Sequence, residues 1–291
     1  MLPFAFIDKN VSKNSNYTLF EETVTYYETT YENNKVYKKE IPKDKYKMKV
    51  QEAKGDSGYP RVKVNCTNEN SEYCEGSSTR ETGYTTLRLR VYLNPNNFKD
   101  GFIKVELTWD VVPTYRLKDY ISISFDGTNI RTGSDLAIKG YQIIDYISEA
   151  YTCPYYCYGT GNITRGREVI RYDLVNTPSV IEKKTHGLIL EVDLKNDDIY
   201  YYSDYIPFYK AEKIVVSLET KFRPKEARPY NTFTSLKFAA DYRHSYRKLT
   251  FDVLGRAEVY IDGPSGGLGV TTSLITDFDD SRYTSVNFIF N

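Results

Sequence analysis

Residues 84–125 read YTTLRLRVYLNPNNFKDGFIKVELTWDVVPTYRLKDYISISF. Leu87, Leu89, Val91 and Leu93 alternate with Arg88, Arg90 and Tyr92, and Ile103, Val105, Leu107 and Trp109 alternate with Lys104, Glu106 and Thr108. A period of two is that of a strand with one face buried. Between the two runs, Asn94-Pro95-Asn96-Asn97-Phe98-Lys99-Asp100-Gly101 is dense in turn formers. The stretch therefore predicts an antiparallel pair with the chain's single Trp on its buried face. A Trp-Asp-x-x-Pro turn then leads into a third strand through Ile121, Ile123 and Phe125.

The same signals recur outward from this block. Strands are predicted at Val169–Leu174, Leu188–Leu194, Ile214–Phe222, Ser235–Ala240, Leu249–Val253, Ala257–Ile261 and Ser285–Phe290, and a short one at Arg61–Val64. Residues 136–150 fit a helix or a strand, and periodicity does not decide between them. Pro and Gly punctuate nearly every gap, and no amphipathic helix longer than about three turns stands out. The fold class expected is all-β: an antiparallel β-sandwich or jelly-roll, as one large unit or two smaller ones. Upstream, Thr23–Tyr31 has strong strand propensity, and Asn33-Asn34 can turn it back into Lys35-Val36-Tyr37. Residues 1–55 thus form an N-terminal edge hairpin or an extended arm, able to add a strand to a neighbouring subunit. Residues 56–160 and 161–291 form the two halves of the sandwich, or a single continuous domain over 56–291.

With 39 basic and 39 acidic residues the formal net charge is zero. No long-range field recruits nucleic acid or an anionic membrane. No apolar run approaches the roughly 20 residues of a membrane span. Four cysteines fall in two tight pairs, Cys66 with Cys74 and Cys153 with Cys157. Their spacings are not those of a metal site, and two local disulfides are the simplest assignment among three connectivities. Disulfides point to an oxidising compartment. The sequons at Asn10, Asn16, Asn65 and Asn162 agree with an extracellular or cell-surface location. The apolar patch at Met1–Ile7 ends at Asp8, short of a secretory leader, so that location requires a leader already removed.

Thr108-Trp109-Asp110-Val111-Val112-Pro113-Thr114-Tyr115-Arg116-Leu117-Lys118-Asp119 resembles a Thr-Trp-x3-Pro-x2-Arg-x2-Asp pattern of uncharacterised secreted β-rich proteins from low-GC Gram-positive bacteria. Those proteins carry a downstream Tyr-x-His turn and a Gly-Leu-Gly-Gly segment, similar to Tyr242-Arg243-His244 and Gly266-Gly267-Leu268-Gly269 here. The resemblance spans roughly residues 84–291. It implies a secreted bacterial β protein, with Trp109, Pro113, Arg116 and Asp119 as structural motif residues, and it carries over no known activity.

The residues offer little catalytic chemistry. His244 and His186 lack a neighbouring nucleophile elbow, so both read as structural. Asp197-Asp198 and Asp279-Asp280 are adjacent, and adjacent strand residues face opposite ways, which argues against a convergent acid pair. Asp277–Asp280 has oxygen ligands for calcium but not the loop signature; calcium is the one cofactor considered. The Gly-rich run at 261–269 precedes β-prone residues instead of a helix and reads as a loop. Tyr242–Lys248 reads as a solvated strand face, not a base-stacking surface.

Tyrosine is the compositional outlier, with 29 residues. Tyr favours strands and contact surfaces. Tyr200, Tyr201, Tyr202, Tyr205 and Tyr209 form a candidate contact surface. The expected function is a non-enzymatic structural or adhesive subunit, self-associating through β-strands in a surface fibre or assembly. The alternatives are a carbohydrate-binding module that stacks glycan rings on tyrosines, and a β-pore-forming toxin with a partial hairpin match at Thr23–Thr30.

Overall fold

The computed structural model describes residues 17–32, 35–55, 80–94, 101–113, 116, 118–125, 130–131, 138–152, 158–184, 186–200, 206–224, 234–244, 258–261, 268–271 and 282–290. They form a mostly β protein of antiparallel sheets packed face to face, with one helix among the described residues. In chain order the elements are β1 (Thr18–Glu32), β2 (Lys35–Glu40), α1 (Lys43–Lys54), β3 (Arg80–Leu93), β4 (Gly101–Val111) and β5 (Lys118–Phe125). There follow β6 (Ile130–Arg131), β7 (Ile138–Thr152), β8 (Tyr158–Asp173), β9 (Ile181–Lys184), β10 (Gly187–Asp193) and β11 (Asp198–Tyr200). The last are β12 (Ile206–Pro224), β13 (Thr234–Arg243), β14 (Glu258–Ile261), β15 (Leu268–Thr271) and β16 (Arg282–Phe290).

The antiparallel pair predicted from residues 84–111 is present: Leu87 opposes Leu107, Leu89 opposes Val105, and Val91 opposes Ile103. All six side chains are fully buried, as is Trp109. This pair sits inside a large sheet of order β2-β1-β3-β4-β12-β7-β8, with β6 and β11 paired to β12. The second sheet runs β16-β13-β5-β10-β9, and β14 pairs with β15. The third predicted strand, β5, leaves the first sheet altogether. Its neighbours are β13 and β10.

Strands from either side of residue 160 interleave in both sheets: β12 lies between β4 and β7, and β13 lies beside β5. One continuous core joins the sheets, with Leu107, Trp109 and Ile144 from one and Ile123, Leu190 and Phe238 from the other. Close contacts cross it, such as Phe222 of β12 against Phe238 of β13 at 4.9 Å between ring centres. Of residues 136–150, ambiguous in sequence, 138–150 lie in strand β7. The strand expected at Arg61–Val64 and the one at Leu249–Val253 lie outside the described residues.

The N-terminal hairpin forms as β1 and β2, in register from Tyr27 opposite Glu40 to Glu32 opposite Lys35. It is built into its own chain's sheet, because β1 pairs with β3 from Thr18 to Glu32. Helix α1 was not expected there. Its residues are mostly good helix formers, Pro42 precedes it, and Gly55 ends it at φ 61°. Tyr46 is buried between Tyr26 and Tyr84, at 5.0 and 6.2 Å between ring centres. Its hydroxyl donates to Asp110 Oδ2 at 2.7 Å. Burial, and then the nearby Asp110 carboxylate, raise the pKa of this hydroxyl.

Candidate functional site

The chain changes sheets between Trp109 and Asp119, and the motif residues of that segment converge with Tyr242 and His244. Trp109 ends the apolar run of β4 and faces the core. Asp119 opens β5, and the β5–β13 register runs to Arg243 opposite Tyr120, so one further step brings His244 beside Asp119. Trp109 Nε1 donates to the Tyr242 hydroxyl at 3.0 Å. That hydroxyl in turn donates to Asp119 Oδ2. His244 Nδ1 lies 3.0 and 2.9 Å from the two Asp119 oxygens. The imidazole also stands edge-on to the indole at 5.0 Å.

Arg116 fixes the other side of the same corner. Its Nε donates to Pro113 O at 2.8 Å, and its Nη1 donates to Lys195 O at 2.7 Å and to Asp197 Oδ1 at 2.8 Å. Asp197 Oδ1 also accepts from the Ala211 amide at 2.9 Å. Asp197 is therefore tied to the corner and to β12, not a solvated turn residue. Gln142 adds a second tie between the sheets: from β7 its Nε2 donates to Asp193 O at 3.1 Å, and its Oε1 accepts from Lys195 N at 3.3 Å.

Trp109, Asp119 and Tyr242 are 0% exposed, His244 1% and Arg116 3%. A carboxylate beside an imidazole supplies two parts of a hydrolytic triad, but the hydroxyl at hand, Tyr242, is directed at the carboxylate. With every member sealed from solvent, the arrangement bonds the two sheets and their crossover together and presents no group to a substrate. The His186 backbone carbonyl accepts from the Phe125 amide at 2.9 Å.

A charged patch lies on the opposite face of the large sheet. Lys104 is 1% exposed. Its Nζ is 2.8 Å from Glu106 Oε2, and it stands over the Tyr141 ring at 5.4 Å. Burial opposes its charge, but Glu106 and Tyr141 together outweigh this and raise the Lys104 pKa. The pKa of Glu106 is lowered in turn: burial would raise it, and the charges of Lys104, Arg90 and Arg88 together outweigh that. Glu219, opposite Lys104 in register, has its pKa raised chiefly by burial, with Lys104 and Lys139 opposing.

Of the predicted tyrosine surface, the structure overturns one member. Tyr209 is 7% exposed, stacked on Tyr146 at 4.6 Å, with the Lys195 ammonium 4.2 Å from its ring centre. It is filler between strands, because β12 turns it toward the core. Tyr200 lies on β11; Tyr201, Tyr202 and Tyr205 lie outside the described residues. So do Cys66, Cys74, Cys153, Cys157, Asn10, Asn16, Asn65 and Asp277–Asp280. Asn162 lies on β8. Among the described residues, no group of three or more His, Cys, Asp or Glu is placed to hold a metal ion.

Among the described residues, exposed large apolar side chains lie on strands of the large sheet, on α1 (Met48) and in the turn after β8 (Val175). Leu19 and Phe20, at 48% and 50%, lie on β1, Tyr37 on β2, and Ile163 and Val169, at 58% and 46%, on β8. Strand β8 is the last of its sheet and pairs only with β7 among the described strands. Ile163, Arg165, Arg167, Val169 and Arg171 alternate along its outer face, all exposed. That alternation is present in the sequence from Ile163 to Arg171.

Among the described residues, no helix is long and apolar enough to cross a membrane, which says nothing of a β-barrel. No family model matches the chain, and no curated protein matches it. Among solved structures it is similar to one described as "Pore forming protein", at 11% identity and a TM-score of 0.25, over 72% of this chain and 87% of that one. A second, titled "AvmM Catalyzes Macrocyclization in Alchivemycin A Biosynthesis", is similar at 11% identity and a TM-score of 0.21, over 64% of this chain and 79% of the other. At these TM-scores neither likeness bears on what this chain does.

Proposed function

We propose that this is a non-enzymatic extracellular structural or adhesive protein, a subunit of an assembly joined by β-strand contacts. One observation carries the reading: the large sheet ends in a 16-residue strand, β8, that no other described strand covers on its outer side. Such a strand is about 53 Å long and leaves roughly half of its backbone donors and acceptors facing outward, a template for another strand. At the other end β2 is only six residues and carries Lys35, Lys38 and Lys39, the usual guard of an edge. The cysteine pairs and sequons support the extracellular location, and the sealed polar network supports a role without catalysis.

A glycan-binding module would call for a row of exposed tyrosines on one face. Among tyrosines whose side chains are described, Tyr37 alone is exposed. The test is sedimentation and negative-stain microscopy of the full chain over a range of concentrations. Assemblies that lengthen with concentration are expected. A monomer throughout, together with saturable glycan binding or release of dye from lipid vesicles, would overturn the reading.

A further inference from the structure

We infer that α1 and the face of β2 beside it form a binding surface for an acidic polysaccharide, a sugar chain carrying sulfate or carboxylate groups along its length. The inference goes beyond the function proposed above and takes from it only the extracellular location. Residues 35–54 hold eight lysines and no arginine, against the three acids Glu40, Asp44 and Glu52, a net charge of +5 in a chain whose total is zero. At physiological salt, charges act over about 8 Å, so a local cluster governs what lies along it whatever the total.

The fold gathers these lysines on one side of the large sheet. Lys39, Glu28 and Tyr84 lie opposite one another across β2, β1 and β3, and so share a face. Helix α1 sits on that face: Tyr46 packs against Tyr26 and Tyr84, and Val50 and Ala53 join the same small core. Lys39, Lys43, Lys45 and Lys47 are all exposed. Lys43 and Lys47 stand one turn apart on one flank of α1, and Lys45 and Lys49 one turn apart on the other.

The neighbouring acids are mostly engaged elsewhere. Glu28 accepts from the Tyr84 hydroxyl at 3.1 Å, and Glu52 lies 3.4 Å from Lys49. Asp110 accepts from the Tyr46 hydroxyl and lies 3.3 Å from Lys213. Glu40 opposes Tyr27 and so takes the other side of the sheet. Asp44 stands in the first turn of α1, where the helix dipole favours a carboxylate. Like charges one turn apart weaken a helix. An anionic chain laid across the lysines relieves that repulsion, so ligand and helix stabilise each other.

The surface also selects the class of anion. Tyr46, Val50 and Ala53 face the protein, which leaves Met48 as the one exposed large apolar side chain of α1 and no apolar face to enter a membrane. The aromatic ring of α1, Tyr46, is buried and offers nothing for a nucleic-acid base to stack on. Lysine ammoniums are hydrated point charges, suited to anionic groups repeated on a flexible polymer. The 12 residues of α1 make a track about 18 Å long, enough for several sugar units.

Binding of the full chain to dextran sulfate, polygalacturonate and neutral dextran tests this. Binding to both acidic polymers is expected, weakening steadily as salt rises, with none to dextran. Replacing Lys39, Lys43, Lys45 and Lys47 together by Gln should lower the affinity at least about tenfold. Arg165→Gln with Arg167→Gln and Arg171→Gln removes three charges from β8 and should leave it intact. The emission of Trp109 shows whether each variant is folded. In the wild-type chain, dextran sulfate should slow deuterium exchange at residues 43–54 and not in β7, a readout that needs no variant. No binding by the wild type, unchanged exchange at 43–54, or equal loss in both variants would overturn the polysaccharide surface. So would tighter binding to phosphatidylserine vesicles or to a single-stranded oligonucleotide. Each of these leaves the proposed assembly standing, whereas a chain that binds dextran sulfate through 43–54 but stays monomeric at every concentration does the reverse.

Discussion

Tyr242→Phe isolates the bond that closes the core between the sheets. The substitution keeps the buried ring and removes one oxygen, which accepts from Trp109 Nε1 and donates to Asp119. A neutral hydrogen bond contributes about 1 kcal/mol, and one to a carboxylate about 1.5–3 kcal/mol. The expected loss is therefore about 2.5–4 kcal/mol, a large share of the roughly 5–15 kcal/mol that holds a domain together. Trp109 is the only tryptophan and lies at the site, so its fluorescence during urea unfolding reads the change directly. The midpoint should fall while the slope holds, and the melting temperature should drop by about 4–8 °C, at roughly 2 °C per kcal/mol for a chain this long. A double-mutant cycle with Asp119→Asn should show coupling. A loss below about 1 kcal/mol, or two losses that simply add, would refute the idea that the network acts as a unit.

Three further outcomes follow from other parts of the molecule. In Gly83→Ala the new Cβ would stand 2.6 Å from Trp109 Cζ3; overpacking should cost about 1–3 kcal/mol and shift the tryptophan emission. Tyr46→Phe removes the bond to Asp110; amides of residues 43–54 should exchange faster by deuterium labelling, while those of β3 and β4 keep their protection. Glu219→Gln should stabilise the protein near pH 7 but not near pH 4. The Glu219 pKa is raised in the fold, so above it the buried charge works against folding, and below the unfolded value the carboxyl is neutral in both states. Chemical denaturation at the two pH values checks the sign, and equal effects at both would contradict it.

Where burial falls on one strand face, the sequence was enough. Alternation over 87–93 and 103–109 placed both strands and the buried Trp109, because a one-residue slip would turn every apolar side chain to solvent. The motif at 108–119 was visible as residue types. That it meets Tyr242 and His244 depends on β5 leaving one sheet for the other, and no local pattern reports a partner more than 120 residues away. Helix α1 escaped because its apolar stripe, Tyr46, Val50 and Ala53, is thin on a highly charged segment, although the i, i+4, i+7 spacing and the flanking Pro42 and Gly55 were legible. Tyr209 was misjudged because residue type alone does not say which face of a strand a tyrosine takes. The candidate contact surface on β8 was written in alternating Arg and aliphatic residues, but its meaning depends on being the last strand of a sheet.

The interleaved order of strands bears on how the protein is made. As the chain is synthesised, β3 and β4 emerge well before β12, the strand that must lie against β4, and Asp119 waits for Tyr242 until 123 more residues have followed. Pairings so distant in sequence form slowly, and strand borders that will end up internal stay uncovered meanwhile. The nascent chain passes through a stage in which β4 is as available to a foreign strand as β8 is in the finished protein. A chain delivered unfolded across a membrane, and released to fold only when complete, would pass through that stage only briefly.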